Sequence, residues 1–389
     1  VSDTVKDLNG RTPATAATGK DGAAADGGSP GGEGRNGKRS GSTRVLRPAT
    51  LKQPRLPRWA PAALVAGSLG VGVLTGVLGG LESRLQWGLI AALVFVAATF
   101  AVTTIVEGRR QATDRLAASL VWTSFVVAIL PLASLLWETI ARGIPGVSWY
   151  FLTHSMNGVL SWQEGGGIYH ALLGTVQQVL LASVIAIPIG LLTAVYLVEY
   201  GRGRLAKTIT FFVDVMTGIP SIVAGLFVLS MWIMMLGFGY SGFAGALALS
   251  ILMMPIVVRS TEEMLKLVPG ELREASLALG VPKWRTILKV VLPTAIGGIT
   301  TGVMLALARI AGETAPIILL VFGSNMINSN PFEGAQSSLP LFVYEQWAFG
   351  TESAYDRAWA AALVLIAFIM ILNLVARGIA RWKAPKTGR

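Results

Sequence analysis

The chain has 389 residues, of which 53% are hydrophobic and only 14% charged. A soluble protein of that size carries about 25% charged residues, so most of this chain belongs in lipid. It has no cysteine, which excludes disulfides, iron–sulfur clusters and thiol catalysis. Its two histidines, His154 and His170, stand at no metal-ligand spacing. The net charge of +11 is not a nucleic-acid footprint, because the basic residues sit in the tails and in alternate loops between apolar runs.

Residues 1–58 are rich in Gly, Ala, Ser and charge. They cannot bury enough apolar surface to offset chain entropy and read as a disordered tail. No short apolar core with a small-residue cleavage site marks a secretory signal there. Gly32 to Lys38 imitates a phosphate-binding loop, but Arg39 stands where magnesium needs Ser or Thr, and neither strand nor helix frames it. The chain itself is not expected to bind ATP.

Eight apolar runs of bilayer length come next, at residues 61–80, 85–106, 116–137, 170–198, 220–239, 243–258, 295–321 and 359–375. Residues 205–218, with Lys207 and Asp214, read as an amphipathic helix on the membrane surface. If the tail is cytoplasmic, the loops on that side hold 28 of the 32 lysines and arginines. Only Arg84, Arg142 and Arg357 fall on the other side, and Arg309 lies inside a run. The positive-inside bias thus implies eight spans with both termini in the cytoplasm. Trp149, Tyr150, Trp162 and Trp347 sit near outer boundaries, as belt aromatics do. The outer loops, about 138–169 and 323–357, read either as plain connections or as a docking surface.

The segment 259–289 is longer than its counterparts. Pro269–Gly270 marks a turn, Glu271 and Glu274 favour a helix start, and Gly280 stops the helix. Val281–Pro282 then begins a second helix, through Trp284 and Ile287 to Leu292–Pro293. This helix–turn–helix lies between spans, too close to the membrane for DNA. Its EASLALG…ILKVVLP pattern resembles the EAA loop of bacterial ABC-importer permeases, on Glu274, Ala275, Ser276, Gly280, Leu292 and Pro293. Ser276 departs mildly from the second Ala of that pattern. The resemblance implies a coupling helix, within 259–293, that fits a groove on a cytoplasmic ATPase dimer. ATP would be bound by that partner subunit, with no cofactor and no metal in this chain.

GIPSIVAGLF at 218–227, PIVVRSTEEMLKLVP at 255–269 and LARIAGETAPII at 307–318 resemble the phosphate-importer permeases of the PstA type. The resemblance runs from about Ala117 to the C terminus. It implies an all-α fold: a type I ABC-importer transmembrane domain of about six helices at 116–380. The spans at 59–110 are then an extra hairpin. It also implies a second homologous permease subunit and an extracytoplasmic phosphate-binding protein as partners.

In the last of those segments Arg309 and Glu313 stand four apart within an apolar run. A charge at mid-span costs about 2.5–3.5 kcal/mol, so such residues face the bundle interior or a water path. An internal salt bridge that only supports packing is the alternative. Arg259, followed by Glu262 and Glu263, is either a second cation on an anion path or a positive flank with local ion pairs. Ser221, behind Pro220, opens a helix whose free amides could meet an anion or simply start the helix. The expected substrate is inorganic phosphate. Another oxyanion or small solute is the alternative. A secondary transporter would leave the 259–289 loop unexplained, and a membrane enzyme would need a catalytic cluster that the sequence lacks.

Overall fold

The computed structural model describes residues 56–81 and 83–383. The phosphate-loop imitation and nearly all of the expected tail lie outside the described residues. Among the described residues the fold is helical, apart from one isolated bridge between Phe322 and Gln336.

The elements in order are α1 (Ala60–Leu78), α2 (Arg84–Val106), α3 (Arg109–Gly146), α4 (Trp149–Thr153), α5 (Tyr169–Val195), α6 (Gly203–Thr217), α7 (Ser221–Val228), α8 (Gly242–Lys266), α9 (Gly270–Ala278), α10 (Lys283–Thr286), α11 (Leu292–Ala311), α12 (Ala315–Leu320), α13 (Leu339–Phe349) and α14 (Glu352–Lys383). π-helical turns extend α5 (Tyr196–Tyr200), extend α7 (Leu229–Met235) and join α10 to α11 (Ile287–Val291). The last of these precedes Pro293, which has no N–H for the carbonyl one turn back. The wider turn absorbs that defect.

Among the described residues seven helices, or helices continued through a π turn, are long and apolar enough to cross a bilayer, and α6 with α7 forms a pair bent by 108°. Packing shows that this pair supplies one more crossing. Gln178 lies beside Gly245, and Gly190 against Val257. The offset is constant, so α5 and α8 run parallel. The chain between them must therefore return across the bilayer. α6 lies across the bundle at one end, as its amphipathic pattern predicts, and α7 makes the crossing. α8 and α11 run antiparallel, because Gly302 abuts Ser260 and Gly298 abuts Met264. Eight crossings result among the described residues, with the start of α1 and the end of α14 on the same side.

The seventh expected run is not one helix. α11 stops at Ala311, Gly312 caps it, and α12 restarts at Ala315. Pro316 is the cause: it has no N–H for the Gly312 carbonyl and its ring would clash there. Glu313 therefore does not share a continuous helix with Arg309, contrary to the uninterrupted run expected from hydropathy.

The 323–357 loop is also less open than its composition implies. Its second half folds inward as α13, with Leu339, Leu341 and Phe342 buried. Ser338 caps α13 by accepting a bond from the Leu341 N–H, and Gly350 ends it in the left-handed region.

A core of Val179, Leu249, Met253, Val257, Ile310 and Ile317 fills the space between α5, α8, α11 and α12. Much of the outward surface is large and apolar, as a lipid-facing surface must be. The α1–α2 hairpin closes on itself through Gly72 and Gly76, which face Ala91 and Trp87.

Candidate translocation path and coupling loop

The α8–α11 register fixes the depth of Arg309. Gly302 is level with Ser260, so Arg309, two turns further on, is level with Met253. Met253 is fully buried near the middle of α8 and shares a cluster with Ile310 and Ala311. Yet the Arg309 side chain is 64% exposed. It stands in the last turn of α11, where the helix dipole favours a cation. Glu313 lies in the break, with its Oε1 3.9 Å from Arg309 Nε. The structure thus brings this pair together, but at the end of a half-helix rather than along one face. Sequence carried the signal: Gly312 and Pro316 flank Glu313 four residues apart. α7 backs the break, because Gly225 lets its backbone meet Pro316.

Arg259 is level with residue 303 of α11, about 9 Å along the axis from the Arg309 level at 1.5 Å per residue. Its guanidinium is engaged. It donates to Glu262 Oε2 at 2.7 Å and to Asp214 on α6, while Lys266 donates to the other oxygen of Glu262 at 2.6 Å. Asp214 thus ties the surface helix to α8, a role beyond the interfacial marker read from sequence. Ser221 is the first residue of α7, half-buried, at the bend after α6.

The EAA-like segment comprises α9, the Gly280 turn and α10. Glu274 and Ala275 are exposed, as are Leu272, Leu277 and Leu279. Leu279 is 84% exposed, and with Leu272 and Leu277 it leaves apolar side chains uncovered outside the spans. Gly280 has φ +75°. The Gly280 N–H donates to the Leu277 carbonyl at 2.9 Å and the Val281 N–H to the Ser276 carbonyl at 3.3 Å. This pair of bonds is a Schellman stop. Nothing lies within 4 Å of a Cβ built on Gly280, so handedness, not space, dictates glycine here. Ser276 is buried and its hydroxyl lies 2.9 Å from that of Thr286 on α10. The departure from alanine therefore braces the two arms of the loop. Leu292 and Pro293, half-buried, begin α11.

The opposite end of the bundle is closed by amides that sequence reading did not single out. Gln178 Nε2 donates to Gln336 Oε1 at 3.0 Å and to the Ser337 carbonyl at 3.2 Å. Gln336 Nε2 donates to Gln177 Oε1 at 2.5 Å, and the Leu339 N–H to Thr175 Oγ1 at 2.7 Å. The partners are some 160 residues apart, so no local pattern announces them. Arg357, 5% exposed, pins the other loop at this end through the carbonyls of Ser161, Gln163 and Gly165. On α13, burial pushes the Glu345 carboxyl above the usual carboxylate range.

The sequence also matches known proteins. Residues 186–389 match the family of binding-protein-dependent transport system inner membrane components. The phosphate transport system permease protein PstA 1 of Mycobacterium tuberculosis is 53% identical over 271 residues, 69% of this chain and 88% of that one. The chain belongs to the PstA family of phosphate transport system permeases. The PstA of Mycobacterium leprae is 48% identical over 267 residues, covering 88% of its length. That of Pasteurella multocida is 37% identical over 269 residues, covering 94%. Among solved structures, a bacterial ABC transporter involved in import of the acidic polysaccharide alginate matches with a TM-score of 0.49 at 16% identity, over 70% of this chain and 96% of that one. A PstA-family chain is a multi-pass membrane permease, not an enzyme. ATP hydrolysis belongs to a separate subunit, and a binding protein completes the transporter.

Proposed function

We propose that this chain conducts inorganic phosphate across the cytoplasmic membrane, along a path that Arg309 and Glu313 line at mid-depth. The observation that carries this reading is the exposure of Arg309. A guanidinium presented to lipid at that level would cost about 2.5–3.5 kcal/mol or more. The face that bears it is therefore covered by water and by a second homologous permease subunit, not by acyl chains. The path lies between the two subunits.

A guanidinium presents paired donors that match phosphate oxygens and stays charged when partly dehydrated. Glu313 neutralises Arg309 when the path is empty and accepts a hydrogen bond from a protonated phosphate. Arg259, nearer the cytoplasm, is already held by Asp214 and Glu262. It meets the anion by exchanging a carboxylate, which favours passage over capture. The N–H groups at Ser221 complete the exit. Both termini are cytoplasmic, the exposed face of α9 around Glu274 and Ala275 docks a cytoplasmic ATPase dimer, and the opposite end receives an extracytoplasmic phosphate-binding protein.

Labelled-phosphate uptake, normalised to membrane protein level and to retained ATPase, tests the path. Arg309→Gln abolishes uptake and leaves assembly intact; Arg309→Lys recovers part of it. Near-normal uptake by a well-expressed Arg309→Gln chain would show the pair to be structural. Reporter fusions after Val198 and Val258, expected in the cytoplasm, and at Gly165, expected outside, test the orientation.

A further inference from the structure

α8 and α11 are joined to the α9–α10 loop by the chain itself, so any displacement of α9 reaches them directly. α5 is not: Glu199 and Arg273 are 74 residues apart. Arg273 nevertheless points from α9 back into the bundle. Its Nε donates to Glu199 Oε1 at 2.9 Å, in the π turn that ends α5. Its two other nitrogens donate to the carbonyls of Val268 and Leu265 at 2.6 and 2.9 Å, at the end of α8. The rigid fork of a guanidinium suits this grip on two elements at once. The Glu199 side chain is 6% exposed and that of Arg273 22%, so the pair is largely shielded from solvent. Across the Gly280 turn, Lys283 donates to the Glu199 carbonyl, and its ammonium lies 4.8 Å from the Tyr200 ring centre. Both arms of the loop thus hold the last turn of α5.

The other end of α5 carries Thr175, Gln177 and Gln178, whose hydrogen bonds hold residues 336–339 across the opposite mouth. With its π turn, this helix is 32 residues long, a strut of about 48 Å. We propose that Arg273 and Glu199 are positioning residues that transmit displacement of α9 to α5. Movement at the ATPase face thereby withdraws the Gln177–Gln178 amides from Gln336 and Ser337 and opens the far mouth. This inference rests on the reading of α9 as the ATPase-docking helix. Arg273 and Glu199 face the bundle and are separate from the exposed docking residues.

The test uses the full chain, assembled with its ATPase, second permease and binding protein in lipid vesicles. Glu199→Gln keeps the size of the side chain but removes the charge that anchors Arg273, and Arg273→Lys keeps the charge but loses the fork that grips two elements at once. The ATPase is expected to co-purify at the wild-type amount and to hydrolyse ATP within about two-fold of wild type, while phosphate delivered per ATP falls about ten-fold. The paired exchange Glu199→Arg with Arg273→Glu recovers part of that ratio, which a general loss of stability would not allow.

The absence of native cysteine permits spin labels at Tyr169→Cys and Asn330→Cys, at the far mouth. Their distance changes with ATP in the otherwise native chain and stays fixed in the Glu199→Gln background. A wild-type phosphate-to-ATP ratio in Glu199→Gln overturns the proposal, and so does an undiminished ATP-dependent distance change. Loss of ATPase co-purification, or failure to reach the membrane, also overturns it by making the pair a docking or folding element. If the unmodified transporter moves no phosphate or retains no ATPase, it is the functional reading that fails.

Discussion

Replacing Gly280 by alanine isolates backbone handedness in the coupling loop. The residue sits at φ +75°, and no atom lies within 4 Å of an added Cβ, so the substitution adds no collision. What it adds is the cost of a left-handed L-residue, roughly 1–2 kcal/mol. The loop can escape by unwinding, but it then forfeits the bonds from Gly280 to Leu277 and from Val281 to Ser276, each about 0.5–1.5 kcal/mol. The two costs are comparable, so the free loop relaxes by unwinding, and docking must restore the angle between its arms. Docking then bears up to that ~1–2 kcal/mol, a factor of up to about 5–30 in a binding constant. The assay is titration of the ATPase onto the permease in lipid nanodiscs. Gly280→Ala raises the half-saturating ATPase concentration by that factor. Gly280→Asn has a smaller effect, because asparagine tolerates the left-handed region, and Gly280→Val has a larger one. Equal affinities across the series would refute the reasoning, and so would asparagine behaving like valine.

Glu313→Gln impairs phosphate uptake and weakens discrimination against fully ionised sulfate, read by competition of unlabelled sulfate with labelled phosphate. Ser276→Ala strands the buried Thr286 hydroxyl and lowers stability by about 1–3 kcal/mol. Adding Thr286→Val restores much of that in thermal unfolding in detergent, because both halves of the pair are then gone. Glu345 gives a pH dependence. Burial raises its carboxyl in the folded state, so its contribution to stability is fully present below the ordinary value of 4.5. That contribution is lost as pH rises through the raised value. Glu345→Gln flattens the slope of melting temperature against pH in that window.

The sequence by itself determined the class, marked the apolar runs and set apart the helix–turn–helix between two of them. Hydropathy is a local property, and so are the glycine stop at Gly280, the surface pattern of α6 and the sorting of Lys and Arg between alternate loops. Such features survive without knowledge of neighbours, because a helix in lipid must satisfy its own backbone. It also brought Arg309 and Glu313 forward, since a charge inside an apolar run is costly wherever it packs.

Tertiary structure decided what those charges touch. Averaged hydropathy ran straight through Gly312 and Pro316 and so missed the break that sets Arg309 at the end of a half-helix. Arg259 read either as a cation on the path or as a flank with local ion pairs, and only the packing of α6 brought Asp214 against it. Arg273 was one positive charge among many until α9 folded back on Glu199, and Gln178 and Gln336 were unremarkable polar residues in separate segments. The reason is common to all of them. A hydrogen bond or ion pair across 45 to 160 residues depends on helix order and register, and those are fixed by packing contacts such as Gly302 on Ser260 and Gly190 on Val257, which no single segment encodes.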